Sequence, residues 1–137
     1  MSLTSAKLDG RLAVLVGGLQ GPSVGHKRDV IDATRELHGL RPKDATVLAA
    51  RALADAVGAT SVHAIANHNH VLVRLSGASK HADCDSDWRD RGATPGGLLG
   101  FVFPPLGEVA AEGASRAAVK AAIVAAMRRF VTGHLQV

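Results

Sequence analysis

The sequence predicts an α/β (α+β) protein: a small mixed sheet of about three to five strands with about three helices, in one domain over residues 1–137 whose core runs from about 11 to 131. Three observations carry this. Short apolar, β-branched runs, "LAVLV" at 12–16 and "SVHAI" at 61–65, flank a segment of helical periodicity, "ATVLAARALADAV" at 45–57. Glycine and proline punctuate the chain at the ends of these runs. The strand–helix–strand order is one in which a crossover helix permits parallel pairing.

In chain order, Asp9-Gly10 is a turn dipeptide leading into a strand over Leu12 to Val16, which Gly17 and Gly18 close. "LQGPSVGHKRD" reads as a loop. "KRDVIDATRELHG" places Val30, Ile31, Thr34 and Leu37 on one helical face and ends at Gly39. The second helix, Ala45 to Val57, has Pro42 and Asp44 at its start, with Asp44 expected to cap it, and Gly58 just beyond its end. "SVHAIANHNHVLVRL" predicts a strand, a polar interruption and a second strand. Ser76 to Gly100 reads as a long irregular connection, and "LLGFVFPP" as a brief strand stopped by prolines. A terminal helix is capped at Ser115, repeats Val119, Ile123, Met127 and Phe130 at helical spacing, and ends at Gly133. Its polar face carries Arg116, Lys120, Arg128 and Arg129.

Composition narrows the function classes. Aromatic residues make up 3%, with no Tyr, which disfavours a stacking platform for single-stranded nucleic acid. The net charge of +4 favours anionic partners, while a basic surface of no special role is the plainer alternative. There is no apolar run of membrane-spanning length, and "MSLTSAKLDG" lacks the pattern of a secretory signal, so a cytoplasmic location is expected. The single cysteine, Cys84, forms no internal disulfide and agrees with a reducing compartment.

The chemistry-bearing stretches begin with "HGLRPKD", His38 to Asp44. Two cations stand directly before a helix whose dipole prefers anions there, an arrangement that makes sense if a phosphate docks on the helix entry between Arg41 and Lys43. Solvation of both side chains, or pairing with Asp44 and Glu36, is the alternative. "NHNH", Asn67 to His70, puts His68 and His70 on one side of a strand if the strand continues and His63 on the other. With no third ligand at a fixed spacing, a polar strand end or turn with exposed imidazoles is preferred and no metal is expected. In "HADCDSDW", His81 to Trp88, a Cys84–His81 nucleophile pair is opposed by adjacent aspartates that raise the thiol pKa, and Trp88 is expected to anchor the segment to the core.

Taken together, "VGGLQGP", "ATRELHGLRPKD", "ANHNHV", the acidic "ADCDSDW", "GF", "FPP" and a basic terminal helix resemble the VirK/YbjX family of bacterial proteins, from about Leu12 to Phe130. The resemblance implies a domain without an assigned reaction, linked to virulence and envelope stress. Family domains look roughly twice as long, so the chain corresponds to a C-terminal half, and apolar sheet surface left to cover implies a homodimer. Cys84 stands where the family tends to have Tyr.

By analogy of element order, the chain is also similar to half of the acyl-coenzyme A N-acyltransferase fold, in which a helix N-terminus holds the cofactor pyrophosphate. That analogy implies acyl transfer from a carrier such as coenzyme A or acyl-coenzyme A. Gln20, Gly21, Arg41 and Lys43 would line the cofactor site, and His38 would be the base. A binding or accessory module that docks an anionic protein or lipid on the same basic patch is the rival expectation.

Overall fold

The computed structural model describes residues 1–21, 24–70, 83–107 and 114–134. These residues fall into two compact units, Met1–Gln20 with Gly58–Pro105, and Gly21–Val57 with Leu106–Val137.

The first unit is a five-stranded mixed sheet. β1 (Ser2–Leu8) and β2 (Arg11–Gly18) form an antiparallel hairpin. Asp9 and Gly10 turn it with φ of 50° and 78°, the left-handed pair that matches the twist of hairpin strands. β1 is an edge strand with mostly exposed residues, which is why its polar "SLTSAKL" gave no strand signal. The register slips between Ser2 and Leu3. Gly17 lies at this slip, and a Cβ there would run into the Ser2 hydroxyl.

β2 pairs in parallel with β3 (Ser61–Ile65), from Ala13 opposite Ser61 to Val16 opposite Ala64. As predicted, the chain between them is helical. Both strands are central, and Ala13, Val14, Val16, Val62 and Ala64 are buried. β3 pairs antiparallel with β5 (Gly100–Phe103), and β5 with β4 (Thr94–Gly96), giving the order β1-β2-β3-β5-β4.

The polar interruption expected after β3 is a 3-10 turn, Asn67–Asn69. The second predicted strand, from Val71, lies outside the described residues. The expected irregular connection contains a helix, α3 (Cys84–Arg89), besides β4. Asp83 caps α3 by accepting from the Ser86 amide at 3.1 Å. Trp88, fully buried, meets Phe103 edge to face at 6.0 Å, so its expected anchoring role holds. The one buried polar side chain on β3, His63, accepts from the Leu98 amide at Nδ1 (3.3 Å) and sits 3.0 Å from Ser61 Oγ through Nε2. Gly97, at φ 68°, leaves the room this ring occupies.

The second unit contains α1 (Lys27–Glu36), α2 (Pro42–Ala56) and α4 (Ala114–His134). With α3, the described residues hold four α-helices rather than three. No residue of α1 is buried, whereas α2 buries Val47, Ala50, Ala52 and Ala54 and packs against α4. Asp44 is not the N-cap residue of α2: that position is Arg41, Pro42 follows as the first helical residue, and Asp44 stands within the first turn. Gly58 follows α2 with φ of 74°, as expected of a residue past a helix end. α4 already begins at Ala114, one residue before the predicted cap, Ser115. Val124 of α4 is buried beside Val119, Ile123 and Met127 of the predicted stripe, which are half-buried, while Phe130 is half exposed and stacked on His134.

Candidate functional site

The turn between α1 and α2 is fixed by backbone bonds. The Gly39 amide donates to the Thr34 carbonyl at 2.7 Å and the His38 amide to the Arg35 carbonyl at 3.0 Å, the paired pattern of a Schellman end. His38 and Gly39 both take left-handed conformations, φ 52° and 87°. Glycine is the usual occupant of such a position, so His38 holds it against a steric cost of about 1–2 kcal/mol. Leu40, buried, then carries the chain into Arg41 and α2.

On this turn the structure assembles most of the predicted residues. Arg41 is exposed and forms no side-chain cap, and Lys43 is in the first helical turn. The Lys43 side chain runs beside Gly21, where a Cβ would lie 3.6 Å from Lys43 Cε. His38 is exposed. Gln20, also exposed, ends the sheet unit one residue before Gly21.

One cation of this turn was missed by sequence reasoning. Arg116, from the start of α4, donates Nε–H to the His38 carbonyl at 3.3 Å, and its guanidinium lies where a Cβ on Gly39 would be. The sequence signal was only a basic residue on a polar helix face, 78 positions from His38. The turn into α2 thus carries His38, Arg41 and Lys43, Arg116 reaches it at His38 and Gly39, and Asp44 is the acidic residue of the first helical turn. Such a donor set suits a doubly charged or diphosphate anion: guanidinium forks match its oxygens and the helix dipole adds partial positive charge.

In the sheet unit, the "NHNH" stretch divides its labour. Asn67 donates its side-chain amide to Asp83 (2.9 Å) and accepts from the Cys84 amide (3.0 Å), while its own backbone amide donates to Asp85 (2.7 Å). The Ser86 amide and then the Asn67 carboxamide hold the Asp83 carboxyl below the usual carboxylate range. Asn69 donates to the Leu99 carbonyl at 3.1 Å. Both asparagines therefore fasten the turn to α3 and to the loop before β5. His68 is exposed, and His70 Nε2 lies 3.5 Å from where a Cβ of Gly18 would be. Cys84 is buried, and His81, weighed and disfavoured as its partner, lies outside the described residues. Among the described residues no three His, Cys, Asp or Glu side chains gather as a metal ion would require.

A family model described as "Protein of unknown function (DUF535)" matches residues 1–99, well over half of the chain. The chain belongs to the DUF535 family. This is the VirK/YbjX family that the sequence motifs resemble. The DUF535 match spans β1 to β4 and includes the α2 entry and the Asn67–Asn69 turn, while β5 and α4, with Arg116, lie beyond it. No curated protein and no solved structure matches the chain. No helix among the described residues is long and apolar enough to cross a membrane.

Proposed function

We propose that this DUF535 protein transfers an acyl group from a phosphate-containing thioester carrier of the coenzyme A type, and that the carrier's phosphates are held at the entry of α2. The observation that carries the reading is the arrival of Arg116 on the turn that already bears His38, Arg41 and Lys43. A further cation on this turn raises the local positive potential, which favours a multiply charged anion there.

The likeness to the acyltransferase fold is one of element order in the sequence. In this reading Arg41 and Arg116 grip phosphate oxygens through guanidinium forks, and Lys43, whose stem runs beside Gly21, adds a point charge. His38 offers a further donor on the same turn. Gly21 belongs to the carrier-binding set by its place beside Lys43. The carrier supplies an acyl group activated as a thioester.

Thermal melting with coenzyme A, acetyl-coenzyme A or neither tests this on the parent and on an Arg41→Ala/Lys43→Ala variant. Binding to the folded state raises the midpoint. The expected result is a rise in the parent that is largely lost in the variant and shrinks with added salt. Unchanged midpoints in the parent overturn the reading and favour a module that docks an anionic protein or lipid without turnover.

A further inference from the structure

Among the described residues one polar side chain is buried, that of His63, 8% exposed at the middle of β3. Its hydrogen bonds fix where its proton sits. The Leu98 backbone amide can only donate, so Nδ1, 3.3 Å away, has to present a lone pair. In a neutral imidazole the proton is then on Nε2, which donates to Ser61 Oγ at 3.0 Å. An imidazolium carries a proton on both nitrogens and would set two donors, Nδ1–H and the Leu98 amide, against each other. A protonated His63 and the Leu98 bond therefore exclude one another.

What this ring holds is the turn between β4 and β5. Gly97, at φ 68°, brings the turn against the imidazole, and a Cβ there would meet both the ring and Val102. Next to Leu98, the Leu99 carbonyl accepts from the Ala66 amide at 2.8 Å and from the Asn69 carboxamide at 3.1 Å. The turn thus joins the middle of β3 to the 3-10 turn that follows it. The groups that the strand registers set around the ring are uncharged: Leu15 of β2 and Val102 of β5 flank His63, Thr94 of β4 lies beyond Val102, and Gly97 and Leu98 approach from the turn. The charged residues of the strands are Lys7, which alternates to the opposite face of the sheet, and Arg11, at the hairpin end of β2. α3, with its charged side chains, packs through Trp88 on Phe103, which also alternates to the face opposite Val102 and His63.

We propose that His63 is a proton-operated latch on the β4–β5 turn: the neutral ring holds the turn closed through Leu98, and protonation opens it. The sign follows from the hydrogen bonds. The open form binds the proton in preference to the closed one, so the closed turn prevails at higher pH and the open population grows as the pH falls, by up to about tenfold per unit. Imidazole is the side chain whose charge changes between about pH 5 and 8, which sets the range to search. Opening frees the Leu98 amide first and, through Leu99, slackens the hold on Ala66 and Asn69. The latch is independent of the carrier reading, because every group in it belongs to the sheet unit.

Two NMR measurements on the full chain, from about pH 8 to about pH 5, test this together. One is solvent exchange of the Leu98 amide, corrected for the intrinsic pH dependence of exchange; the other is the chemical shift of each His63 ring nitrogen. The expected result is a bare Nδ1 and a protonated Nε2 at the high end, with Leu98 protection falling about tenfold or more along the curve on which the ring takes its proton. Protection of the Val14 and Val16 amides in β2 should hold across the same range. His63→Asn supplies an acceptor near the Nδ1 position that does not titrate, and should leave Leu98 protection independent of pH. If that variant fails to fold, the parent alone decides. The latch is overturned by a proton on Nδ1 at high pH, by a ring that stays neutral down to about pH 5, or by Leu98 protection that is unchanged as the ring titrates. It is equally overturned if the pH dependence persists in a folded His63→Asn variant.

Discussion

The Trp88 indole donates its Nε1–H to the Ile65 carbonyl at 2.8 Å, fastening α3 to the end of β3. Both residues lie in the sheet unit, and Trp88 has no exposed surface. Trp88→Phe keeps most of the ring but leaves the Ile65 carbonyl without this donor, at an expected cost of about 1–3 kcal/mol. Trp88→Ala also opens a cavity and should cost about 3–5 kcal/mol. Denaturant midpoints of the three proteins, compared at unchanged slope, give both numbers.

The Asp83 carboxyl should make stability depend on acidity. Its folded-state pKa lies below the unfolded one, so the charged form is favoured by folding. The contribution is present above the ordinary carboxylate pKa of about 4 and is lost as the pH falls through the lower folded value. Asp83→Asn should flatten that acid-side decline, as followed by melting across the acid range. Asn67→Ala should remove part of the same decline and leave the Cys84 amide without its acceptor.

His38→Gly should stabilise the fold by about 1 kcal/mol, because glycine adopts the left-handed conformation that His38 holds at φ 52°. His38→Val should destabilise it, since a β-branched residue tolerates that conformation least. Thermal midpoints of the two variants moving in opposite directions would establish that the backbone at this position is strained.

Arg116→Ala should weaken binding of coenzyme A and of inorganic diphosphate together, several-fold, with a smaller salt dependence than the parent shows. Calorimetric titration at two ionic strengths checks this. Lys120→Ala, on the same helix, serves as the charge-matched control.

Legibility from sequence followed a physical division. Where apolar periodicity or turn chemistry is strong, the elements were readable: the Asp9-Gly10 turn, the apolar strands β2 and β3, the crossover helix α2 and its terminal Gly58. β1 was not, because an exposed edge strand has no buried face to impose alternation on its sequence. The Asn67 turn was legible only as a polar interruption, because its conformation is set by side-chain bonds to Asp83 and Cys84, which are distant in sequence. α3 escaped for a similar reason: six residues are too few for periodicity, and Trp88 is held by a carbonyl 23 residues earlier. In the candidate site, His38, Arg41 and Lys43 stood out because they are neighbours in the chain. Arg116 did not, since only tertiary packing brings it to Gly39.

The parallel pairing of β2 with β3 also sets an order in which the chain can acquire its structure. The β1–β2 hairpin closes over a two-residue turn and can form in microseconds. Thr60, whose amide and hydroxyl both donate to the Leu12 carbonyl at the start of the parallel ladder, is 48 residues away, so that ladder must await closure of a long loop. During synthesis the hairpin therefore emerges first, with the inner edge of β2 bare. Until β3 arrives, that apolar edge is the part of the nascent chain most open to wrong partners, and chaperone dependence should track the time the crossover takes to be translated.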